Sequence, residues 1–490
     1  MDPKTFGLVL GPALFVLTLL FFHPEGLNST ANAVLACTLW IAVWWITEAI
    51  PIAVTSLLPI ILFPLTNSLQ LSETTASYGH KYVFLYIGGF ILAIAIERWN
   101  LHRRIALTII NFIGTNVKSL ILGFMIATAF LSMWISNTAT TVMMLPIAMA
   151  IIAQLKDNPA TVEDENEIFG KALMLSIAYS ASIGGMASLI GTPTNLVLAG
   201  VVQDTYGIEI TFFQWVIFGL PISILLLAIC FGYLTNIAFK FKQKTFPGGK
   251  QEIRSQLKNL GDITFEEKMV LGVFFFTALA WISRSFLLNK IIPNIDDTVI
   301  AIIAAVVLFL LPASKDQNRR ILTWEEAVKL PWGILLLFGG GLALAEGFKT
   351  SGLAVWIGSQ MTLLDSVPLI VLLLVLLAAV NFLTEITSNV ATTAMLLPVL
   401  AAMAVTIGVH PYILMVGATV AASCAFMLPV ATPPNAVVFG SGYLRIPDMV
   451  RSGIWMNLLS IILLALITYF LLPVLWDFDP GVYPLDWETQ

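Results

Sequence analysis

Residues 130–150 of this 490-residue chain read FLSMWISNTATTVMMLPIAMA, and residues 382–402 read FLTEITSNVATTAMLLPVLAA. Eleven of the twenty-one aligned positions are identical, at a constant separation of 252 residues. The identical positions include Ser, Asn, Thr and Pro within otherwise apolar sequence, so shared apolar packing does not explain them. An internal match of this kind predicts a fold with two related halves.

Two further matches occur in the same order along both halves. The segment GTPTN at 191–195 corresponds to ATPPN at 431–435, and the paired glycines at 88–89 correspond to those at 340–341. Each half therefore contains, in order, a glycine pair, a Ser-Asn segment and a Thr-Pro segment.

The composition places the chain in a membrane. Hydrophobic residues make up 58% of it and charged residues only 11%, which is far too apolar for a soluble protein. A helix needs about 20 apolar residues to cross the bilayer, and stretches near that length recur from end to end.

The sequence contains three cysteines, Cys37, Cys230 and Cys424. They form no CxxC pair, so neither a disulfide framework nor a zinc site is predicted. No hydrolase or nucleotide-binding motif occurs, so we expect neither an enzyme nor a nucleotide-driven pump.

The placement of lysine and arginine predicts the topology. We treat the apolar stretches 118–155 and 367–409 as hairpins that return to their own side and let every other stretch cross once, which gives eleven crossings. With a cytoplasmic N-terminus, twenty of the 24 basic residues then fall on the cytoplasmic side, as the positive-inside rule requires. The C-terminus is predicted to be external, in a multi-pass protein of the cell inner membrane.

This topology divides the chain into five parts. They are an N-terminal transmembrane helix at 1–30, a first repeat at 31–239, a cytoplasmic linker at 240–267, a second repeat at 268–474 and an external tail at 475–490. Each repeat contains five crossings, an odd number, so the second copy is inverted relative to the first. Inverted repeats are a recurring design of secondary transporters, with the substrate bound near the midplane. The predicted fold class is an all-α polytopic membrane protein with two inverted five-helix repeats, two re-entrant hairpins and two broken helices.

The polar segments lie where the chain is predicted to break. Residues 136–138 and 388–390 lie midway through the two hairpins, and Thr-Pro pairs begin at Thr192 and Thr432. Proline lacks an amide donor and disfavours helical backbone in the residue before it. Irregular backbone at membrane depth must be buried in protein or line a wet cavity, so we expect the four breaks to meet inside the protein.

The chemistry of these breaks suits anions and hard cations together. Helix N-termini present free amides and a partial positive charge, and the same breaks present carbonyl and hydroxyl oxygens. None of the four segments contains a lysine or arginine. A dianionic substrate would then need co-bound cations for charge compensation, which favours cation-coupled transport.

On these motifs, and on WITEAIP at 45–51, the chain resembles the divalent anion/sodium symporter family along almost its whole length. That family includes sodium-coupled dicarboxylate and citrate cotransporters. The resemblance implies a homodimer and an elevator mechanism, in which a transport part moves against a fixed scaffold. One departure from the family motif is Val390, which stands where the fuller motif has threonine and removes a hydroxyl group.

The resemblance also implies the site residues. The first sodium site would use Ser132, Ser136, Asn137 and Gly191, and the second Thr384, Thr387, Asn389 and Ala431. The substrate would contact Ser136, Asn137, Thr138 and Thr192 from one half, and Ser388, Asn389, Thr432 and Pro433 from the other.

The leading hypothesis is sodium-coupled symport of C4-type dicarboxylates such as succinate, malate and fumarate. Sodium ions are then the coupling ions, with no organic cofactor and no nucleic-acid partner. A sodium-independent dicarboxylate exchanger and a citrate transporter remain alternatives, as does an anion channel, which belongs to another class.

Two acidic residues within or near the apolar stretches stand out. An acid at membrane depth is a functional candidate. Glu48 precedes Pro51, so its carboxylate can equally serve as a structural acceptor for exposed backbone. For Glu385, one helical turn before the second tip, we favour a structural or indirect cation role over direct ligation.

Residues 101–113 have a basic start, and their pattern predicts an interfacial amphipathic helix.

Overall fold

The computed structural model describes residues 2–114, 116–156, 163–241, 249–314, 319–361 and 367–487. Within these ranges the regular secondary structure is helical, and there is no β-strand. Residues 242–248 of the predicted linker and 488–490 of the predicted tail lie outside the described residues.

The helices of the first half run from α1 to α13. Their bounds are α1 Pro3–Phe21, α2 Ser29–Thr47, α3 Ile52–Thr55, α4 Leu58–Leu65, α5 Leu71–Ala76, α6 Lys81–Arg98, α7 Leu101–Ile113, α8 Val117–Ser132, α9 Asn137–Lys156, α10 Glu163–Gly185, α11 Pro193–Tyr206, α12 Phe212–Tyr233 and α13 Gly249–Asn259.

The second half contributes α14 to α25. Their bounds are α14 Phe265–Ser283, α15 Asn289–Ile291, α16 Asp297–Leu310, α17 Trp324–Ala327, α18 Trp332–Ser351, α19 Leu353–Ser359, α20 Leu369–Thr384, α21 Asn389–Thr406, α22 Pro411–Ala422, α23 Pro433–Phe439, α24 Ile446–Leu466 and α25 Leu472–Trp476.

Ten helical segments of the described chain are long and apolar enough, by length and composition, to cross a membrane. Two of them, residues 137–154 and 389–406, belong to α9 and α21. Five shorter apolar helices accompany them, among them α8, α20 and α22. The predicted class, an all-α polytopic membrane protein, is confirmed.

Both predicted hairpins are present as helix pairs joined by short turns. The first turn lies between Ser132 and Asn137, and the second between Thr384 and Asn389. The first turn is held locally, because the Ser136 hydroxyl accepts a 3.2 Å hydrogen bond from the backbone amide of Ala139 at the start of α9. A serine before a helix satisfies an amide that has no partner within the helix.

Both predicted helix breaks are also present. The first separates α10 from α11, and the second separates α22 from α23. Thr192 (φ −137°, ψ 142°) and Thr432 (φ −140°, ψ 149°) have extended backbone, and each precedes the proline that begins the next helix. This is the conformation that a following proline imposes.

The packing of the helices brings the four breaks together. Helices α8 and α9 of the first hairpin pack on α10, and α20 and α21 of the second hairpin pack on α22. Beyond its break, α11 packs on α21 and α22, while α23 packs on α9 and α10. Each hairpin is therefore contacted by both broken helices.

The repeated glycines allow close helix contacts. A Cβ on Gly88 of α6 would lie 2.6 Å from Cβ of Ala301 in α16. A Cβ on Gly340 of α18 would lie 2.6 Å from the backbone oxygen of Ser56, next to α3. A larger residue at either position would force the helices apart, which explains why glycine occurs at these points of both halves.

The predicted amphipathic helix corresponds to α7, with the predicted bounds. Its apolar face packs on α8, and Arg104 on its polar face bonds to Glu267 of α14 at 2.7 Å. Phe112 is 89% exposed at its end. The helix therefore joins α6 to the first hairpin along the side of the bundle.

Candidate functional site

A cavity of about 830 Å³ lies where the two hairpin tips and the two broken helices meet. Its remaining wall comes from the corner between α2 and α3, from α6 and from the start of α18. All eight residues predicted to bind substrate line it. They are Ser136, Asn137, Thr138, Thr192, Ser388, Asn389, Thr432 and Pro433.

The residues predicted to bind sodium divide into two groups. Six line the cavity, namely Ser136, Asn137, Gly191, Thr387, Asn389 and Ala431. The other two, Ser132 and Thr384, are buried behind the tips and do not line it. Each of these two contacts the asparagine that follows its tip.

At the first tip, three different oxygens converge. The Ser132 hydroxyl is hydrogen-bonded to the side-chain oxygen of Asn137, and it lies 2.8 Å from the backbone oxygen of Ala181 in α10. A hydroxyl has one proton and donates to one of these acceptors at a time. The oxygens of a hydroxyl, a side-chain amide and a backbone carbonyl are therefore close together at the inner end of this tip.

The second tip repeats this arrangement. The Thr384 hydroxyl lies 2.6 Å from the side-chain oxygen of Asn389 and 2.9 Å from the backbone oxygen of Ala422 in α22. Hard cations favour neutral and anionic oxygen ligands of these types. Two similar sets of oxygens thus lie on either side of one cavity.

Asparagine side chains stabilise the unwound backbone at both helix breaks. The Asn195 amide group donates a 2.8 Å bond to the backbone oxygen of Ser188, seven residues before it. The Asn435 amide group donates a 3.0 Å bond to the backbone oxygen of Leu428, also seven residues before it. Each asparagine thereby satisfies a carbonyl that the unwound backbone leaves without a helical partner.

A further contact joins the two breaks directly. The hydroxyl of Thr194, at the start of α11, lies 3.0 Å from the hydroxyl of Ser423, just after α22. Both side chains are buried. The two broken helices therefore meet through a polar contact deep in the protein.

Glu385 supports the second break rather than lining the cavity. Its carboxylate accepts bonds of 2.7, 2.9 and 3.0 Å from the backbone amides of residues 426–428. It also accepts a 2.7 Å bond from the side chain of Asn457 in α24. Glu385 is only 3% exposed, and its four donors explain how an acid is kept there. The geometry agrees with the predicted structural role.

Apart from Glu48, the described lining of the cavity consists of backbone and neutral side chains. Among the described residues that line the cavity there is no lysine, arginine or histidine, and the one acid is Glu48. Helices α9, α11 and α21 begin at the cavity, and the first amides of a helix have no partner within it. These amides and the associated partial positive charges are suited to carboxylate groups.

Several functional features were missed by the sequence reasoning. Asn195 and Asn435 are the last residues of the repeated segments GTPTN and ATPPN, but no role was predicted for them. Their occurrence at matching positions of both halves was a signal that could have identified them. Tyr86 and Phe90 of α6 also line the cavity, as do four residues at the start of α18, namely Pro331, Gly333, Ile334 and Leu337. These stretches are largely apolar, and nothing in the sequence pattern distinguished them from lipid-facing or core residues.

Comparisons with known proteins place this arrangement among membrane transporters. A family model described as the sodium:sulfate symporter transmembrane region matches residues 3–476. A sodium-dependent dicarboxylate transporter, SdcS, of Staphylococcus saprophyticus is 52% identical over 478 residues, covering 96% of this chain and 92% of that protein. The SdcS of Staphylococcus aureus strain USA300 is 50% identical with the same coverage.

Two solved structures have a similar fold at low sequence identity. The Neisseria gonorrhoeae protein MtrF, described as illuminating a class of antimetabolite efflux pumps, superposes with a TM-score of 0.61 at 13% identity, covering 99% of this chain and 97% of its own. The Alcanivorax borkumensis YdaH transporter superposes with a TM-score of 0.54 at 12% identity, covering 96% and 98%.

Proposed function

The chain belongs to the sodium:sulfate symporter family, and from that membership we propose that it carries C4-type dicarboxylates such as succinate, malate and fumarate across the cell membrane together with sodium. It is a multi-pass membrane protein, and its family indicates a transporter rather than an enzyme. The SdcS relatives are named as sodium-dependent dicarboxylate transporters, which supports both the substrate class and the coupling ion.

The observation that carries the proposal is the cavity itself. It is lined by both hairpin tips and both helix breaks, and its described lining contains no basic side chain. A doubly charged anion in such a place needs other positive charge, because desolvating an uncompensated charge costs several kcal/mol even after relaxation. Two nearby sets of hard oxygen ligands offer places for cations that would supply it.

We assign the site residues accordingly. The substrate carboxylates are held by hydroxyls, asparagines and helix amides of the two tips and the two Thr-Pro segments, at the eight lining residues named above. One sodium ion lies by the first tip near Asn137, and the other by the second tip near Asn389. Each asparagine then presents its oxygen to the cation and its N–H groups to the anion.

The mechanism we propose is an elevator within a homodimer. The hairpins and broken helices pack on one another around the cavity and form the moving transport part. Helices α1, α2, α6, α14, α16 and α18 form the scaffold, and close contacts such as Gly88 against Ala301 make that part rigid. We retain two inverted repeats at 31–239 and 268–474, with a cytoplasmic N-terminus and an external C-terminus.

Counterflow in proteoliposomes tests the transport mode. Labelled succinate uptake is measured with and without internal succinate, each with and without an inward sodium gradient. The symport proposal expects uptake that requires sodium and is driven by its gradient. An exchanger takes up label only when internal succinate is present, whatever the sodium gradient. A channel conducts without acceleration by internal substrate, and competition by citrate distinguishes a citrate transporter.

Cysteine labelling tests the orientation. Arg254 on α13 and Gly481 in the tail are exposed, whereas the three natural cysteines are buried, so the wild-type chain serves as the unlabelled control. In intact cells an impermeant thiol reagent is expected to label Gly481→Cys but not Arg254→Cys. Labelling of both from outside would contradict the proposed inverted topology.

A further inference from the structure

Glu48 differs from every other residue of the cavity wall. It is the one charged side chain among the described residues that line the cavity, and it is exposed there. Within the described chain no hydrogen bond or ion pair engages its carboxylate. The structural role that the sequence left open, as an acceptor for broken backbone, is therefore not the one that it adopts.

The backbone at Glu48 is also unusual. It has φ 46° and ψ 42°, the left-handed conformation that residues other than glycine rarely adopt. Four described non-glycine residues have positive φ, and the other three are asparagine or aspartate, which tolerate it best. A glutamate in this conformation at a cavity wall points to a requirement for its side chain.

The turn around Glu48 is held firmly in place. The Trp45 indole nitrogen donates a 3.1 Å bond to the Ser56 hydroxyl, which joins the end of α2 to the segment after α3. The backbone amide of Ala49 bonds to the oxygen of Trp44 at 3.3 Å. The carboxylate of Glu48 is therefore attached to a fixed corner on the α2–α3 side of the cavity, which the hairpin tips also line.

We propose that Glu48 sets the charge selectivity of the cavity. Its negative charge attracts sodium into the cavity and opposes each additional carboxylate on an entering substrate, so that dianions are favoured over trianions. The inference rests on the proposed function, because it assigns a specificity role within the same transport site.

The size of the effect follows from distance and screening. A cavity of this volume is roughly 10 Å across, and at an effective dielectric constant of about 50, between that of water and that of a protein surface, a unit charge at that distance changes binding by about threefold per unit charge of ligand. Sodium binding should then weaken about threefold when the charge is removed, and binding of a dianion should tighten by up to about ninefold. A trianion should gain about threefold more than a dianion.

These opposite signs separate a charge effect from a structural one. If Glu48 only supported the fold of the corner, its replacement would weaken sodium and substrate binding together. A charge effect also disappears when salt shortens the screening length from about 10 Å near 0.1 M to about 3 Å near 1 M.

The test uses purified full-length protein in detergent and in proteoliposomes. Glu48→Gln removes the charge and keeps the size, Glu48→Gly removes the charge in a backbone conformation that glycine prefers, and Glu48→Asp keeps the charge. Glu25→Gln, at an exposed position outside the cavity, gives the same change in net charge as a control. Sodium binding without substrate is followed by tryptophan fluorescence, and succinate and citrate binding are measured at saturating sodium.

Sodium-dependent succinate transport by the wild type is established first, so that failure of the proposed function is recognised separately. Given that transport, the inference expects weaker sodium binding, tighter succinate binding and a raised citrate-to-succinate affinity ratio in Glu48→Gln and Glu48→Gly, with all three changes lost near 1 M salt. Glu48→Asp and Glu25→Gln should remain within about twofold of wild type. Parallel weakening of both ligands, or no change in either, would overturn the inference while leaving the transport function intact.

Discussion

Gly185, the last residue of α10, faces the side-chain amide of Asn137, the first residue of α9, with no room for a methyl group between them. A Cβ on Gly185 would lie 2.8 Å from Nδ2 of Asn137 and closer still to its oxygen. The position of the Asn137 side chain, and with it the first set of oxygens, therefore depends on the absence of a side chain in a neighbouring helix.

Replacement of Gly185 by alanine should impair sodium binding at the first tip. The methyl group would push the Asn137 oxygen away from the Ser132 hydroxyl, and ligand positions must be held to within about 0.5 Å, so we expect sodium affinity to fall on the order of tenfold or more. Gly272→Ala is the matched control, because nothing lies within 4 Å of a Cβ at that position of α14. Equal sodium affinity in the two variants would show that the contact does not position the site.

Removal of either tip asparagine should abolish uptake without unfolding the protein. Each asparagine is proposed to serve a cation and a carboxylate, and the loss of two such interactions corresponds to about 3 kcal/mol, or roughly 100-fold in affinity. Asn137→Ala and Asn389→Ala are therefore expected to lose succinate uptake and to keep the wild-type elution profile in size-exclusion chromatography. Asn294→Ala, at an exposed turn, should transport normally. Wild-type uptake by either tip variant would contradict the site assignment.

Glu385→Gln should destabilise the second helix break. The carboxylate receives three backbone amides and the Asn457 side chain, whereas glutamine has one acceptor oxygen and brings an NH₂ group against donors. Leaving buried donors unsatisfied costs about 1–3 kcal/mol, so the thermal midpoint should fall. Asn457→Leu removes one donor to this carboxylate and a second acceptor of the Phe426 amide, which keeps its bond to Glu385, so it should have a smaller effect. The prediction fails if the thermal midpoint of Glu385→Gln equals that of the control Glu25→Gln.

The contacts of the C-terminal tail should weaken in acid through His410. Burial lowers the pKa of His410 to about 4, and its Nδ1 accepts a 3.3 Å bond from the Tyr412 amide, which protonation would remove. Its ring packs on Phe478 and Trp487 of the tail, at 4.2 and 4.8 Å between ring centroids.

The sign of the pH effect follows from the two pKa values. Unfolded histidine has a pKa of about 6.5, so between pH 6.5 and 4 the unfolded chain binds more protons and stability falls as the pH falls, by up to about 3 kcal/mol. His410→Asn keeps an acceptor for the Tyr412 amide but does not titrate. The difference in thermal midpoint between the wild type and this variant should therefore change between pH 7 and pH 4. A constant difference across that range would exclude the proposed titration.

The sequence predicted the hairpins and breaks because their causes are local. Prolines follow Thr192 and Thr432, and each Ser-Asn tip lies midway through an apolar stretch too long for one crossing. The partners of Glu385 come from two later segments, 41 to 72 residues further along the chain, and periodicity cannot show such contacts. The left-handed backbone of Glu48 was likewise invisible, since no glycine or asparagine marked the turn. The apolar wall from α18 carried no polar signal at all.

The last prediction is that sodium raises the affinity for succinate and not merely the rate of transport. The described lining of the cavity has no basic side chain, and a helix terminus offers only about half a unit of positive charge. Two sodium ions would supply the missing compensation, and linkage requires substrate to tighten sodium binding by the same factor.

With two ions and sodium below its own dissociation constant, a tenfold rise in sodium should lower the apparent succinate dissociation constant by up to about 100-fold. Succinate is titrated into purified protein at several sodium concentrations, with choline holding the ionic strength constant. Thr384→Ala, which removes a proposed ligand of the second ion, should reduce the dependence to about one power of sodium. An apparent dissociation constant that does not change with sodium would refute the coupling argument, and the sodium-independent exchanger would then become the better explanation of the cavity.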